Sequence, residues 1–190
     1  MFQSKKTQVV LLAIVLIVAL TGILLAAQYN RPTATGTNAG QSPGSPEPAE
    51  TTVEATLYFS DAEAMYLMPE RRNVISKGES IGETVVRELI KGPSSSELKR
   101  TIPPETSLLS LSVENGVARV NLSREVQNSH YGGSAGESML IYSIVNSLAE
   151  TTGINQVQFL VEGNKVESFY GHIGITEPLQ PNTSLIKGRN

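Results

Sequence analysis

Apolar residues along this 190-residue chain fall into three regimes. From Val9 to Ala27 they dominate nineteen residues that carry no charge. From Asn30 to Thr52 there are twenty-three positions without one Val, Ile, Leu, Met or aromatic residue. From Val53 onward they recur with the short periods of folded elements. The first run, at about 1.5 Å per helical residue, spans roughly 28 Å against a hydrocarbon core of ~30 Å, and predicts a transmembrane helix over 9–27. Lys5 and Lys6 precede it, and Arg31 is the one basic residue soon after it. That bias makes 1–8 a cytoplasmic stub and puts the rest outside, as in a single-pass protein of the cell membrane. A cleavable signal peptide is the competing reading. Against it, the run exceeds the usual ~7–15-residue apolar core, and Leu25 stands where cleavage after Ala27 needs a small residue. Residues 28–52, rich in Thr, Ser, Gly, Ala and Pro, read as a disordered linker with a coil reach of about 25–30 Å.

The remaining pattern predicts one domain over 53–181, followed by a flexible tail at 182–190. Val53 to Phe59 reads as a strand, and Tyr66 to Ile75 as its partner, placed at an edge by Pro69 and the Glu70-Arg71-Arg72 run. Ser80 and Glu83 form a capping box; Ile81, Val85, Val86, Leu89 and Ile90 make an apolar stripe, and Gly92-Pro93 ends the helix. The Asn115-Gly116 pair predicts a two-residue hairpin turn, which sets Leu109 opposite Leu122, Leu111 opposite Val120, and Val113 opposite Ala118 on one buried face. A second capping box, Ser134 with Glu137, predicts a helix with a broad apolar face from Met139 to Leu148, ending before Gly153. Val157, Phe159 and Val161 alternate as a last strand. The βαββαβ order, edge pieces aside, predicts an α+β domain with two helices packed on one face of a mainly antiparallel sheet.

Composition narrows the chemistry. There is no cysteine, so disulfides and thiolate metal sites are excluded. Two histidines, His130 and His172, and one aspartate, Asp61, leave little for a metal centre, and no cofactor fingerprint follows a strand. Beyond Lys5 and Lys6 the chain holds 13 basic and 18 acidic residues, a net charge of −5 that disfavours nucleic acid. Arg71-Arg72 and Lys99-Arg100 are basic pairs on solvated faces, suited at most to anionic wall polymers or partner carboxylates. Gly132-Gly133-Ser134-Ala135-Gly136 matches G-x-S-x-G, with Glu150, Glu162 or Glu167 as acid and His172 as base in hydrolase order. A loop of about ten residues separates Ser134 from the preceding strand, too long for a nucleophile elbow, so the cap is the preferred role for Ser134. The sequence therefore nominates no catalytic, cofactor or metal residue. Leu25-Ala26-Ala27 is similar to the left half of a bacterial lipobox, but the next residue is Gln28 and cannot carry a thioether lipid.

Several runs together resemble the GerMN domain family of sporulation and spore germination. They are Leu57-Tyr58-Phe59, Glu88-Leu89-Ile90-Lys91-Gly92-Pro93, Ile102-Pro103-Pro104-Glu105-Thr106, and Val113 through Ser123, followed by the Glu137 helix and the Val157–Gly163 strand and turn. The resemblance covers about residues 54–180. It implies a non-enzymatic, extracytoplasmic module that contributes to envelope assemblies between mother cell and forespore, and that is similar to ring-building domains. The role expected of this chain is in sporulation, germination or general cell-envelope function, with envelope or sporulation proteins as partners, including further copies of itself. Lipoprotein members of the family carry a cysteine where this chain has Gln28, which leaves residues 9–27 as the anchor. Two other readings use the same tether: a module binding cell wall or a small ligand, and a serine hydrolase using Ser134 and His172.

Overall fold

The computed structural model describes residues 50–127 and 132–189. The expected membrane helix 9–27, most of the linker, and His130 lie outside the described residues. No helix among the described residues is long and apolar enough to cross a membrane. Among the described residues five strands and two α-helices follow in the order β1 (Glu50–Ser60), β2 (Leu67–Lys77), α1 (Ile81–Lys91), β3 (Leu108–Glu114), β4 (Val117–Leu122), α2 (Ser134–Ala149) and β5 (Gln156–Val161). A 3-10 turn, Arg124–Gln127, precedes α2, and another, Thr183–Leu185, lies near the C-terminus.

The α+β class matches the pattern, while the sheet differs from it in two ways. The strands form a two-stranded sheet, β1-β2, and a three-stranded sheet, β3-β4-β5. β2 is a full strand at the edge position that Pro69 predicts, antiparallel to β1 from Glu50↔Lys77 to Ser60↔Leu67. β4 and β5 are parallel, because α2 carries the chain back across the sheet between them. α1 packs on β1, β2 and β3, and α2 packs on α1, β1 and β5. Leu57, Phe59, Leu89, Val120, Leu140, Ile144 and Phe159 are fully buried between these layers.

Local signals explain most elements. The capping box of α1 forms: Ser80 Oγ accepts from the Glu83 N–H, and the Glu83 carboxylate accepts from the Ser80 N–H at 2.9 Å. At its other end Gly92 has φ +91°, and a Cβ there would lie 2.7 Å from the Arg100 guanidinium. Arg100 donates to the carbonyls of Ile90 and Lys91, closing the negative end of α1. The hairpin turn has positive φ at both Asn115 and Gly116, as its twist requires.

Three expectations need correction. The register holds at Leu111↔Val120 and Val113↔Ala118, but an irregularity between Leu108 and Ser110 puts Leu108, not Leu109, opposite Leu122. Leu108 is buried and Leu109 is 46% exposed, because the extra residue turns the next side chain over. Residues 182–189 do not form a loose tail: the Asn182 N–H donates to Asn146 Oδ1, and Ile186 is buried beside Leu67 and Tyr58. At the other end, β1 begins at Glu50, three residues before the expected domain start.

Arg72, expected on a solvated face, is also held internally. Its guanidinium meets Glu70, Glu88 (2.8 Å) and the Gly92 carbonyl, and lies 5.8 Å from the centre of the Phe59 ring. Burial alone would raise both carboxyls; Arg72 with the Ser95 and Ser94 amides holds Glu70 below its ordinary value, and Lys91 followed by Arg72 does so at Glu88. Lowered carboxyl values add stability that is present above 4.5, the ordinary value, and is lost as pH falls through the folded-state values. Urea denaturation as a function of pH therefore shows an acid loss of stability in the wild type and a flatter profile in Arg72→Gln. Equal profiles would remove this cluster from the stability balance.

Candidate functional site

Helix α2 is apolar around much of its circumference, and the polar side chains it buries, Glu137, Ser143, Asn146 and Ser147, need partners. Glu137 is 0% exposed. One carboxylate oxygen accepts the N–H groups of Phe169 (2.9 Å) and Tyr170 (2.8 Å), and the other those of His172 (2.9 Å) and Ile173 (3.2 Å). The loop after β5 thus wraps its backbone around one side chain. Phe169 closes it from beneath, its ring edge-on to Phe159 at 5.3 Å. This overturns the second capping box. Gly133 is the N-cap of α2 and makes no side-chain cap bond; Ser134 is the first helical residue. Glu137 points into the fold rather than back to the helix start, because four loop amides outcompete one terminal N–H.

The same placement decides the G-x-S-x-G reading. Ser134 and His172 are both exposed. The loop brings the His172 ring near the start of α2, with Nε2 3.9 Å from where a Cβ on Gly133 would sit. No hydrogen bond joins Ser134 to His172 among the described residues. The proposed acids are elsewhere: Glu150 bonds Tyr58 and Arg189, Glu162 accepts from the Arg124 N–H, and Glu167 is exposed on the loop. The carboxylate beside His172 is Glu137, engaged by four amides. A strand does not lead directly into Ser134; the last described element before it is the 3-10 turn at Arg124–Gln127. Among the described residues no three metal-ligating side chains converge.

Further along α2, Ser143 accepts from the Thr101 hydroxyl at 2.9 Å, and Asn146 bonds both the N–H and the carbonyl of Asn182. Ser147 Oγ accepts the Tyr58 N–H at 2.9 Å. Glu150, just past the helix end, accepts the Tyr58 phenol at 2.7 Å, and Arg189 lies 3.0 Å from the same oxygen. Burial, then the Glu150 bond and charge, push the Tyr58 phenol up to about 12.

Beside this contact lies a cleft of ≈ 550 Å³. One wall is the strand backbone of β1 from Val53 to Thr56; the others are the start of α1 at Ile81 and Gly82, Val113 of β3, and the turn after α2 at Glu150–Ile154. Among the described residues Glu54 and Glu150 are its charged ones, and no lysine or arginine lines it. Sequence reasoning missed both the cleft and the true role of Glu137. The available signal was the run of polar residues, Ser143, Asn146, Ser147 and Glu150, at three- and four-residue spacings in an otherwise apolar helix.

Comparison with known proteins agrees with this fold. A family model described as Germane, sporulation and spore germination, matches residues 56–167. The tandem GerMN domains of the sporulation protein GerM from Bacillus subtilis superpose with a TM-score of 0.58 at 18% identity, covering 68% of this chain and 46% of that one. The chain therefore spans less than half of the tandem structure. The first GerMN domain of the same protein matches with a TM-score of 0.58 at 19% identity, over 68% of this chain and 98% of that one. A protein from Clostridium perfringens named as a candidate lipoprotein matches with a TM-score of 0.51 at 26% identity, over 73% and 95% of the two chains. No curated protein matches.

Two predictions follow from α2. Glu137→Ala leaves four loop amides without an acceptor and lowers unfolding free energy by about 3–5 kcal/mol. Limited proteolysis then cuts between residues 166 and 176; a loss under about 1 kcal/mol with an uncut loop would show that the loop stands alone. At the alkaline end, the raised Tyr58 value means that stability present below 10 is lost as pH rises toward about 12. Tyr58→Phe removes that alkaline step in urea titrations; a step that persists unchanged assigns it to another group.

Proposed function

The chain belongs to the sporulation and spore germination family, and from that membership we propose that it is a membrane-tethered interaction module outside the cell membrane, not an enzyme. Its partners are envelope or sporulation proteins, further copies of the chain among them. The observation that carries this reading is the cleft beside β1, an open groove bounded by strand backbone and lined without a catalytic set. The arrangement at Glu137 supports the non-enzymatic half, since the acid nearest His172 is bonded to backbone. Similarity to a candidate lipoprotein supports attachment to a membrane, and the uncharged run 9–27 supplies a means without a lipidated cysteine.

A module binding wall polymer or a small ligand is the second reading, favoured by a cleft volume in the range of ligand sites. Its case from basic pairs weakens, because Arg72 and Arg100 are engaged within the fold and only Arg71 and Lys99 remain.

The test is photocrosslinking in intact membranes from a probe placed at Val113, which lines the cleft and is 48% exposed. The proposal expects a discrete protein adduct and a full-length chain that stays in the membrane fraction after alkaline washing. Saturable binding to purified cell wall without a protein adduct supports the second reading instead. A mature chain beginning near Gln28 in the soluble fraction defeats the tether. Ester hydrolysis abolished by Ser134→Ala with the fold intact defeats the non-enzymatic role.

A further inference from the structure

Strand β1 leaves part of its outer edge unpaired. Backbone groups in a strand alternate sides, so the residues whose N–H and C=O face away from β2 follow from those seen bonded there. The Tyr58 N–H goes to Ser147 Oγ, and Ser60 exchanges both backbone bonds with Lys99, at 3.2 and 2.8 Å. The β1–β2 register is unbroken, so Thr52, Glu54 and Thr56 also turn their N–H and C=O outward. None of these has a hydrogen-bond partner among the described residues. The edge is closed at 58–60 by α2 and the Lys99 segment, and opens where α2 ends at Ala149. What it opens onto is the ≈ 550 Å³ cleft.

The far walls of that cleft are apolar at Ile81, Val85, Val113 and Ile154, and its charges are Glu54 and Glu150. Glu54 forms no ion pair among the described residues; Glu150 is shared with Arg189. The C-terminal end of α2 also faces this space, with no basic residue in its last turn to balance the partial negative charge. The N-terminus of α1 on the opposite wall is closed by its own capping box and offers no anion site. Open strand edge, apolar walls and negative charge thus meet in one groove.

We propose that this edge takes an extended, lysine- or arginine-bearing segment of a partner protein as an added β-strand. Alternate backbone groups of the segment bond Thr52, Glu54 and Thr56, an apolar side chain enters between Ile81 and Ile154, and a cationic side chain meets Glu54 and Glu150. The proposal rests on the reading of the chain as an interaction module and names the site and the chemistry of its partner. A second copy is the rival occupant, since β2 has its own outer edge at Arg71, Asn73 and Ile75. That edge arrives with β1 and α1 attached and carries Arg71 as its one charge, whereas a separate extended segment brings only its own backbone and side chains to the cleft.

The probe is a fluorescein-labelled peptide of alternating lysine and valine, titrated into the full-length chain in detergent and read by anisotropy. Saturable binding is expected, weakened by salt. An alternating glutamate–valine peptide and a lysine–valine peptide N-methylated at every second amide are each expected to bind at least about tenfold more weakly. Glu54→Pro removes one outward N–H without breaking a β2 bond, as Pro69 does on β2, and produces a similar loss. Glu54→Gln, which leaves the backbone untouched, weakens binding by a smaller factor. Equal binding of the N-methylated or the glutamate peptide, or no binding at all, overturns the site. If Glu54→Pro instead lowers the sedimenting mass of a self-associated chain that the lysine peptide cannot disrupt, the occupant is a second copy. Crosslinks from Val113 that persist while the peptide fails sink this site alone; peptide binding without any membrane crosslink sinks the interaction role.

Discussion

One carboxylate organises the part of this domain that has no regular structure. The loop after β5 cannot satisfy its own amides by ladder or helix, and it lies over the core where water does not reach all of them. Glu137 accepts four of these N–H groups, two on each oxygen, from inside helix α2. A buried charge is tolerable only when hydrogen-bonded this fully, and a loop of this kind is ordered only when something gathers its donors. The two requirements are met by the same contact. It also brings Phe169 onto Phe159, so the loop contributes to the core as well as covering it.

The rest of α2 works in the same way. Ser143 holds Thr101, Asn146 holds Asn182, Ser147 holds the edge of β1, and Glu150 holds Tyr58 together with Arg189. Each bond ties a segment distant in sequence to one rigid rod. That is why the C-terminal residues pack against the domain, and why the edge of β1 is covered only as far as the helix extends. The cleft is what remains beyond the end of α2.

Two similar motifs had opposite outcomes, and the difference is instructive. Ser80-x-x-Glu83 forms a capping box because its helix starts in solvent, where the nearest free donors are its own first amides. Ser134-x-x-Glu137 has the same spacing, but Glu137 faces the interior and finds a loop thirty-odd residues downstream. In the hairpin, Asn115-Gly116 set the pairing near the turn correctly. The register slipped one residue further out at Leu108, where burial chose between two adjacent leucines. Pro69 marked β2 as an outer strand, since its missing N–H falls at an outward position opposite Tyr58.

What the chain determined by itself was local: where strands and helices lie, the start of α1, its stop at Gly92, the left-handed turn at Asn115-Gly116, and the family. These depend on residues within a few positions of one another, and periodicity reports them directly. The tertiary structure decided the partner of Glu137, the division into two sheets, the parallel pairing of β4 with β5, the packed C-terminus, and the open edge of β1. Each of these joins a side chain or strand to backbone far away in sequence. Backbone amides are the same in every residue but proline, so no pattern of side chains announces which of them a buried carboxylate will meet.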